Sequence, residues 1–263
     1  MSAHSTSGFT IIETMLVLAI TGVLIASLLF GVGSSITTQR YSDSVTSFRS
    51  LLQDQYARVS NVSNGRDSGW TCGASAVPLQ SGTSVPGQSE CVLLGRYVSI
   101  VGSDISMATV VGYSTSSALA ASDTQTVKNN YTLGISKNSI EQTTLEWGAQ
   151  IAWPASGSSA KSPTTPRSIA FFVLRSPESG TTYTFTSDSV TPIASVSSST
   201  LKNMLVETTA SFPGQGARTI CVDPGAVVPE KYSVYMTTYA NGTNSIETRS
   251  NAVMAAAGGN SKC

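Results

Sequence analysis

The sequence predicts an α+β fold in which one long amino-terminal helix packs against a β-rich globular head. Three observations predict it: an apolar run at the amino terminus, an apolar stripe of helical period directly after it, and about two hundred further residues in which apolar β-type runs alternate with turn residues. A segment of that size can form one sizeable core, so residues 61–263 are assigned to the head.

The first element is a membrane-spanning helix over residues 9–30. The apolar run from Phe9 to Phe30 spans roughly 33 Å as a helix, slightly more than the hydrocarbon core of a bilayer. A secretory signal peptide fits poorly, because the leader MSAHSTSG has no Lys or Arg and the apolar run is too long. A simple anchor does not explain Glu13, since a carboxylate at the bilayer centre costs about 2.5–3.5 kcal/mol.

The stretch GFTIIE, residues 8–13, followed by MLVLAITGVLIASLL, resembles the class III signal of type IV prepilins and pseudopilins. The resemblance implies that a prepilin peptidase cuts between Gly8 and Phe9 on the cytoplasmic side, which removes residues 1–8 as a leader and leaves an N-methylated terminus. It also implies that Glu13, then the fifth residue, meets the terminal ammonium of a neighbouring subunit in a filament. Two buried charges would thereby compensate each other.

The second half of the helix, residues 31–60, is predicted to be amphipathic and to continue into the head. Its apolar stripe recurs at steps of three and four residues and comprises Tyr41, Val45, Phe48, Leu52, Tyr56 and Val59. The polar residues between them, from Gln39 to Arg58, suit a solvated or subunit-facing surface. The segment GVGSS, residues 31–35, is the expected point of local softening. The turn residues of NVSNGRD, residues 61–67, end the helix; two separate helices are the alternative.

The head is predicted to consist largely of strands. Seven runs have strand character: residues 91–101, 108–113, 145–153, 168–174, 181–186, 217–222 and 231–239. RSPESG, residues 175–180, is a turn between two of them, and Asn241-Gly242 links the last run to TNSIETRS as a hairpin. The Ser-, Gly- and Pro-rich residues 155–166 form a loop or a linker that divides the head.

The composition favours a location outside the cytoplasm. Charged residues make up 11% of the chain, with fifteen basic and fifteen acidic side chains, so the surface offers no general attraction to nucleic acid. The four cysteines, Cys72, Cys91, Cys221 and Cys263, have no CxxC spacing and only one histidine accompanies them. Zinc is therefore disfavoured and two disulfides are predicted, with buried free thiols as the alternative.

Four cysteines allow three connectivities, and sequence alone does not choose among them. The pairing of Cys72 with Cys91 is favoured because they bracket a Gly-, Ser- and Pro-rich segment with little means of holding itself together. The pairing of Cys221 with Cys263 is favoured by the resemblance, since many pilin-like heads pin their carboxy-terminal region to a strand by a disulfide.

Catalytic chemistry finds little support. His4 is the only histidine and lies in the leader, so a Ser-His-Asp triad, a Cys-His pair or a histidine zinc site is unavailable to the mature head. The carboxylate pairs Glu141 with Glu146 and Glu178 with Asp188, of the kind that can hydrolyse glycosides, carry no further signature and are interpreted as solvated surface charge. The tryptophans Trp70, Trp147 and Trp153 are interpreted as core or loop packing. We expect no enzymatic activity, no cofactor and no metal.

The resemblance implies a structural subunit of a type IV pilus-like filament, a minor pilin or a pseudopilin of a secretion system. Its partners would be a prepilin peptidase, other pilin subunits, an inner-membrane assembly platform and, through the single helix, the membrane. The head would be extracytoplasmic, and the assembled subunit would lie in an extracellular filament or at the cell surface. The alternatives are a membrane-anchored adhesive or binding domain that does not polymerise and, third, an anchored hydrolase.

Overall fold

The computed structural model describes residues 10–61, 71–73, 77, 90–118, 120–136, 139–155, 161–206, 216–256 and 262–263. It confirms the α+β class: a long amino-terminal helix is followed by a head built on two antiparallel sheets. The helices are α1 (Ile11–Ser60), α2 (Asp123–Asn130), α3 (Ser198–Met204) and α4 (Asn251–Ala256). The strands are β1 (Val92–Val101), β2 (Asp104–Ser114), β3 (Tyr131–Ile135), β4 (Glu141–Thr144), β5 (Gln150–Ala152), β6 (Ser168–Arg175), β7 (Thr182–Ser187), β8 (Arg218–Asp223), β9 (Tyr232–Met236) and β10 (Ile246–Ser250).

Helix α1 is a single element of 50 residues. It begins after the N-cap Thr10 and ends at Ser60 with Asn61 as its C-cap, so the predicted helix end is confirmed. The GVGSS segment remains α-helical throughout, and the apolar and amphipathic halves therefore form one continuous rod. Its length is about 75 Å at 1.5 Å per residue.

Both sheets are antiparallel. The larger has the strand order β3-β2-β1-β6-β7, and β4 pairs with the first part of β2 while β3 pairs with its last part. The smaller has the order β10-β9-β8-β5. The described residues at either end of the predicted linker 155–166 lead from β5 of the smaller sheet to β6 of the larger one.

The amphipathic half of α1 packs against both sheets at once. The predicted stripe is confirmed, because every one of its six side chains is buried: Tyr41, Val45, Phe48, Leu52, Tyr56 and Val59. These side chains form one cluster, the inner core, with Val98 and Phe171 of the larger sheet and with Ile220 and Val234 of the smaller. Because one core joins both sheets, residues 155–166 connect parts of a single packed unit.

The opposite face of the larger sheet carries a second cluster, the outer core, which includes Phe172 and Leu201 and is covered in part by α3. A β-bulge between Leu93 and Gly95 shifts the register of β1 and turns Leu94 into this outer core. Gly95 is required there, since a Cβ at this position would lie 2.0 Å from the carbonyl oxygen of Val173. The larger sheet is thus covered on both faces.

Two local predictions differ from the structure. Of the predicted strand 145–153, only Gln150–Ala152 is a strand; Glu146–Gly148 is a 3-10 turn in which Trp147 has φ of +58° and Gly148 φ of +71°. Positive φ cannot continue a strand. The hairpin of β9 and β10 is present, but its connection runs from Thr237 to Ser245 and is therefore longer than a two-residue turn at Asn241-Gly242.

Candidate functional site

The first half of α1 stands free of the head and is apolar on all sides. Ile11 is 77% exposed and Phe30 is 83% exposed, and none of the most apolar part of the helix is covered by the rest of the chain. By length and composition alone, α1 is long and apolar enough to cross a membrane, and it is the one such helix among the described residues. A helix that is apolar all round needs lipid or other apolar helices around it.

Glu13 lies in the first turn of α1. Its backbone N–H donates to the Thr10 hydroxyl at 3.3 Å and to the Thr10 carbonyl at 3.1 Å, so Thr10 acts as the N-cap. The carboxylate occupies the end of the helix dipole that favours negative charge. Among the residues that the structure describes, no cation lies within ion-pair distance of Glu13. Gly8 and Phe9, the predicted processing residues, lie outside the described part of the chain.

The hydroxyl groups of Thr14, Thr21 and Ser27 in the exposed half bond to the helix itself. Thr21 donates to the carbonyl of Val17 at 2.8 Å, and Ser27 donates to that of Leu24 at 2.8 Å. Hydroxyls satisfied in this way need no water or partner, which suits an apolar environment. From Thr10 to Gln39, Glu13 is the only charged side chain.

Tyr41 attaches the helix to the smaller sheet where α1 meets the head. Its hydroxyl lies 2.9 Å from the carbonyl oxygen of Val222 and accepts a hydrogen bond of 2.6 Å from the backbone N–H of Tyr232. Burial raises the pKa of Tyr41 to about 12. The neutral hydroxyl therefore bonds to β8 and β9 together and helps to set the direction in which the exposed half leaves the head.

A polar network attaches the other end of α1 to the larger sheet. Buried Arg96 of β1 donates from Nε to the Gln55 side chain at 2.9 Å and from Nη1 to the Thr109 hydroxyl at 3.0 Å. Its Nη2 lies 3.2 Å from Glu141, which also accepts from Arg58 at 2.7 Å. Burial lowers the pKa of Arg96, but a guanidinium remains charged at neutral pH. Glu141 is therefore partly exposed surface charge, as the sequence predicts, but it also joins two arginines.

The polar side of α1 is only partly solvated. Arg49 donates to the carbonyl oxygen of Ile246 at 3.3 Å, and Gln53 donates to that of Thr243 at 2.9 Å. Both acceptors lie at the start of β10 or in the 3-10 turn before it. Polar side chains thus supplement the apolar stripe and restrict rotation of the helix about its own axis.

A second ionic group joins the two sheets. Arg167 is buried and its Nη2 lies 2.7 Å from Asp188, while its Nη1 donates to the carbonyl of Thr219 in β8 at 2.8 Å. Trp153 stacks on this guanidinium, with 4.4 Å between the Arg167 Cζ and the ring centroid. Asp188 is accordingly an ion-pair partner and not solvated surface charge. Trp153 packs in a loop, as the sequence predicts, whereas Trp147 is 57% exposed.

Two disulfides are present, and each joins the pair of cysteines favoured from the sequence. Cys72 pairs with Cys91 and ties the chain just after α1 to the start of β1. Cys221 of β8 pairs with Cys263. The carboxy-terminal residues are further held by hydrogen bonds from the Cys263 N–H to Asn251 at 2.7 Å and from the Ala155 N–H to the Lys262 carbonyl at 2.8 Å.

Comparison of the chain with protein-family models, with curated proteins and with solved structures finds no match in any of the three. Within the described ranges, no group of three or more His, Cys, Asp or Glu side chains is arranged to hold a metal ion. The distinguishing feature of the described molecule is therefore the exposed apolar half of α1, with a carboxylate in its first turn and a continuous connection to the head.

Proposed function

We propose that the chain is a structural subunit of a type IV pilus-like filament, a minor pilin or a pseudopilin, which assembles through α1 after prepilin peptidase cleavage. The observation that carries the proposal is the exposed apolar half of α1 with Glu13 in its first turn. The amino-terminal motif GFTIIE supports the same interpretation. Before assembly, the exposed half would cross the membrane with the head on the extracytoplasmic side.

The division of α1 into two halves suits repeated assembly. One half is fixed to both sheets by the inner core, Tyr41 and the Arg96 network, and the other half has no covering. Identical helices that pack side by side in a head-to-tail arrangement generate a helical filament when the contact does not close into a ring. Because α1 is continuous, the position of its exposed half fixes the position of the head. Regular packing of the helices would therefore space the heads regularly.

Glu13 supplies a polar contact for this packing. A carboxylate surrounded by apolar helices needs a compensating charge. Cleavage after Gly8 would create an ammonium group at Phe9 and make Glu13 the fifth residue of the mature chain. The ammonium of one subunit and the carboxylate of its neighbour would compensate each other in a filament, whereas an anchor that stays alone in lipid offers Glu13 no such partner.

Processing is the step to test, because the proposed assembly depends on it. The full-length chain would be produced with and without a prepilin peptidase, and its intact mass measured after extraction from membranes. We expect the peptidase to remove residues 1–8. Gly8→Val should block the cut, because a larger side chain obstructs the peptidase, whereas the matched change Ser7→Val should be tolerated. An identical mass with and without the peptidase would contradict the proposal and favour the non-polymerising anchored domain.

A further inference from the structure

The first two charged residues of α1 are separated by a long uncharged stretch. Glu13 and Arg40 enclose residues 14–39, which contain no Asp, Glu, Lys, Arg or His. At 1.5 Å per residue, the two charges lie about 40 Å apart along a straight helix. A bilayer including its headgroups is about 40–45 Å thick. When Glu13 lies in one headgroup layer, Arg40 therefore lies in the other.

Arg40 is exposed and lies beside an exposed tryptophan. Its Cζ is 4.8 Å from the centroid of the Trp147 ring, and none of the described carboxylates lies within ion-pair distance of it. Trp147 is 57% exposed and adopts a φ of +58°, a backbone conformation that bulky residues rarely take. The turn Glu146–Gly148 thus holds a large amphipathic ring out from the surface at the level where α1 leaves the head.

A second loop reaches the same level on the helix. Pro224 and Ala226, which follow β8, line a cleft together with Thr37, Arg40 and Trp147. The next residue, Val227, is 99% exposed. Two loops from different parts of the smaller-sheet region therefore place apolar side chains next to an unpaired cation at the base of the exposed half.

We propose that this end of the head rests on the bilayer, with Trp147 and Val227 in the interface and Arg40 on lipid phosphate groups. This contact surface, the seat, comprises Arg40, Trp147 and Val227. It is continuous with the helix that is apolar enough to cross the membrane, and Arg40, which has no ion-pair partner among the described residues, complements anionic headgroups. Tryptophan is enriched at membrane–water interfaces because its ring is apolar and its N–H is polar. Guanidinium groups bind phosphate oxygens with two parallel hydrogen bonds.

This inference rests on the membrane-anchored state of the proposed function but not on cleavage or polymerisation. The seat would hold the head against the membrane and limit its tilt before assembly. Withdrawal of the subunit into a filament would then have to detach Trp147 and Val227 from lipid. A chain that is never processed or polymerised should still show the seat, so failure of the proposed filament role and failure of this inference are distinguishable.

The test uses the full-length chain in vesicles of phosphatidylglycerol and phosphatidylcholine with brominated acyl chains, which quench tryptophan fluorescence on contact. One variant, Trp70→Phe with Trp153→Phe, keeps Trp147 alone. The matched variant, Trp70→Phe with Trp147→Phe, keeps Trp153, which lies at the other end of β5 and stacks on Arg167. We expect brominated lipid to lower the Trp147 emission at least about twofold relative to unbrominated vesicles and to leave the Trp153 emission unchanged.

Equal emission of Trp147 in brominated and unbrominated vesicles would overturn the proposal, as would equal quenching of both tryptophans. If a double variant does not fold, the single change Trp147→Phe in the native chain answers the same question. This change should abolish the lipid-dependent part of the quenching, and retention of that part would overturn the seat.

Arg40→Gln should reduce the quenching of Trp147 more in anionic than in neutral vesicles, and an equal effect in both would remove Arg40 from the seat.

Discussion

At the scale of single residues, two buried arginines of the head make contacts that the sequence does not predict. Arg96 and Arg218 are each about 4% exposed and lie within apolar strands. Arg96 interrupts the apolar run of β1, which was an available signal, whereas Arg218 is the first residue of β8 and carried none. The acceptors of both arginines are distant in the sequence. Arg96 bonds to Gln55 of α1, and Arg218 donates to Thr186 of β7 at 2.7 Å. Only the packing of α1 and both sheets brings these groups together, so their roles could not be predicted from spacing.

Glu13 is predicted to act in assembly and not in folding. Glu13→Leu should insert into the membrane at least as well as the native chain, because a carboxylate in lipid is costly, and the head should fold as before. The neighbour's buried ammonium would lose its partner at a cost of about 3–5 kcal/mol, which corresponds to a loss of at least about a hundredfold in incorporation. Quantitative immunoblotting of sheared filaments measures this loss.

Thr21→Leu is the matched control for Glu13→Leu. It also replaces a polar residue of the exposed half by leucine, but the Thr21 hydroxyl bonds only to the carbonyls of Val17 and Leu18 in its own helix. This variant should enter filaments at the native level. Incorporation of Glu13→Leu at that same level would show that Glu13 has no part in assembly.

The titration of Tyr56 is predicted to lower the free energy of unfolding at alkaline pH. Burial raises its pKa to about 12, above the value of about 10 in an unfolded chain. Between these pH values the unfolded chain has lost the Tyr56 proton while the folded chain still holds it. The stabilisation that comes from protonated, buried Tyr56 is therefore complete below pH about 10 and is lost as the pH rises to about 12. The loss amounts to roughly 2–3 kcal/mol, and urea unfolding of the detergent-solubilised chain at a series of pH values measures it.

Tyr56→Phe separates this contribution from the titration of other groups. It removes the hydrogen bond of 2.7 Å with the Thr184 hydroxyl and should lower stability at neutral pH by about 1 kcal/mol. Its stability should then fall less steeply above pH about 10 than that of the native chain. Tyr239→Phe, at an exposed tyrosine, should keep the native pH dependence. An unchanged slope in Tyr56→Phe would refute the assignment.

At the scale of elements, the long helix was predictable and parts of the sheets were not. The stripe from Tyr41 to Val59 is a local pattern of helical period, and every member is buried as predicted. The strands with apolar runs were also found. β3 and β4 were not predicted, because YTLGI and EQTT are short and weakly apolar. Their strand conformation comes from pairing with β2. Tertiary pairing overrides weak local preference in such segments.

The disulfide between Cys221 and Cys263 is predicted to secure the last elements of the head. The loop that it closes has a sequence separation of 42, for which chain entropy gives at most about 4 kcal/mol. Cys221→Ala with Cys263→Ala should free the tail from Asn251 and Ala155, and should expose β9 and β10 to protease. Limited proteolysis with peptide mapping would show new cuts after β8, while α1 stays intact.

Cys72→Ala with Cys91→Ala is the comparison for that experiment. Its disulfide closes a different loop, with a sequence separation of 19, at the start of β1. New cuts should then fall between α1 and β1 and spare the carboxy-terminal strands. The same cleavage pattern in both double variants would contradict the separate roles of the two disulfides.

At the scale of the whole molecule, the inner core explains why the head is one unit. Ile220 and Val234 of the smaller sheet and Phe171 of the larger sheet meet the same face of α1. The sequence left open whether residues 155–166 divide the head, because a Ser-, Gly- and Pro-rich stretch is equally typical of a loop and of a linker. The answer depends on which faces share a core, and contacts so far apart in the chain are not visible in local patterns.

The separation of the molecule into a packed rod-and-head unit and an uncovered apolar half is the basis of the proposed filament role. The uncovered half extends from Ile11 to Ile36, and every large apolar side chain along it remains exposed in the single chain. Neighbouring subunits would cover these side chains in a filament, and lipid would cover them before assembly. The proposed role therefore requires the same chain to exist first in the membrane and then in a filament. Only the filament distinguishes this role from that of a membrane-anchored domain that does not polymerise.

The most direct test of this central claim is the mass of the amino-terminal peptide of native protein recovered from purified filaments. The account predicts that the chain is present in the filaments and that its first residue is Phe9, carrying an added methyl group. Filaments that contain the chain with an intact Met1 or Ser2 terminus, or that lack the chain altogether, would contradict it.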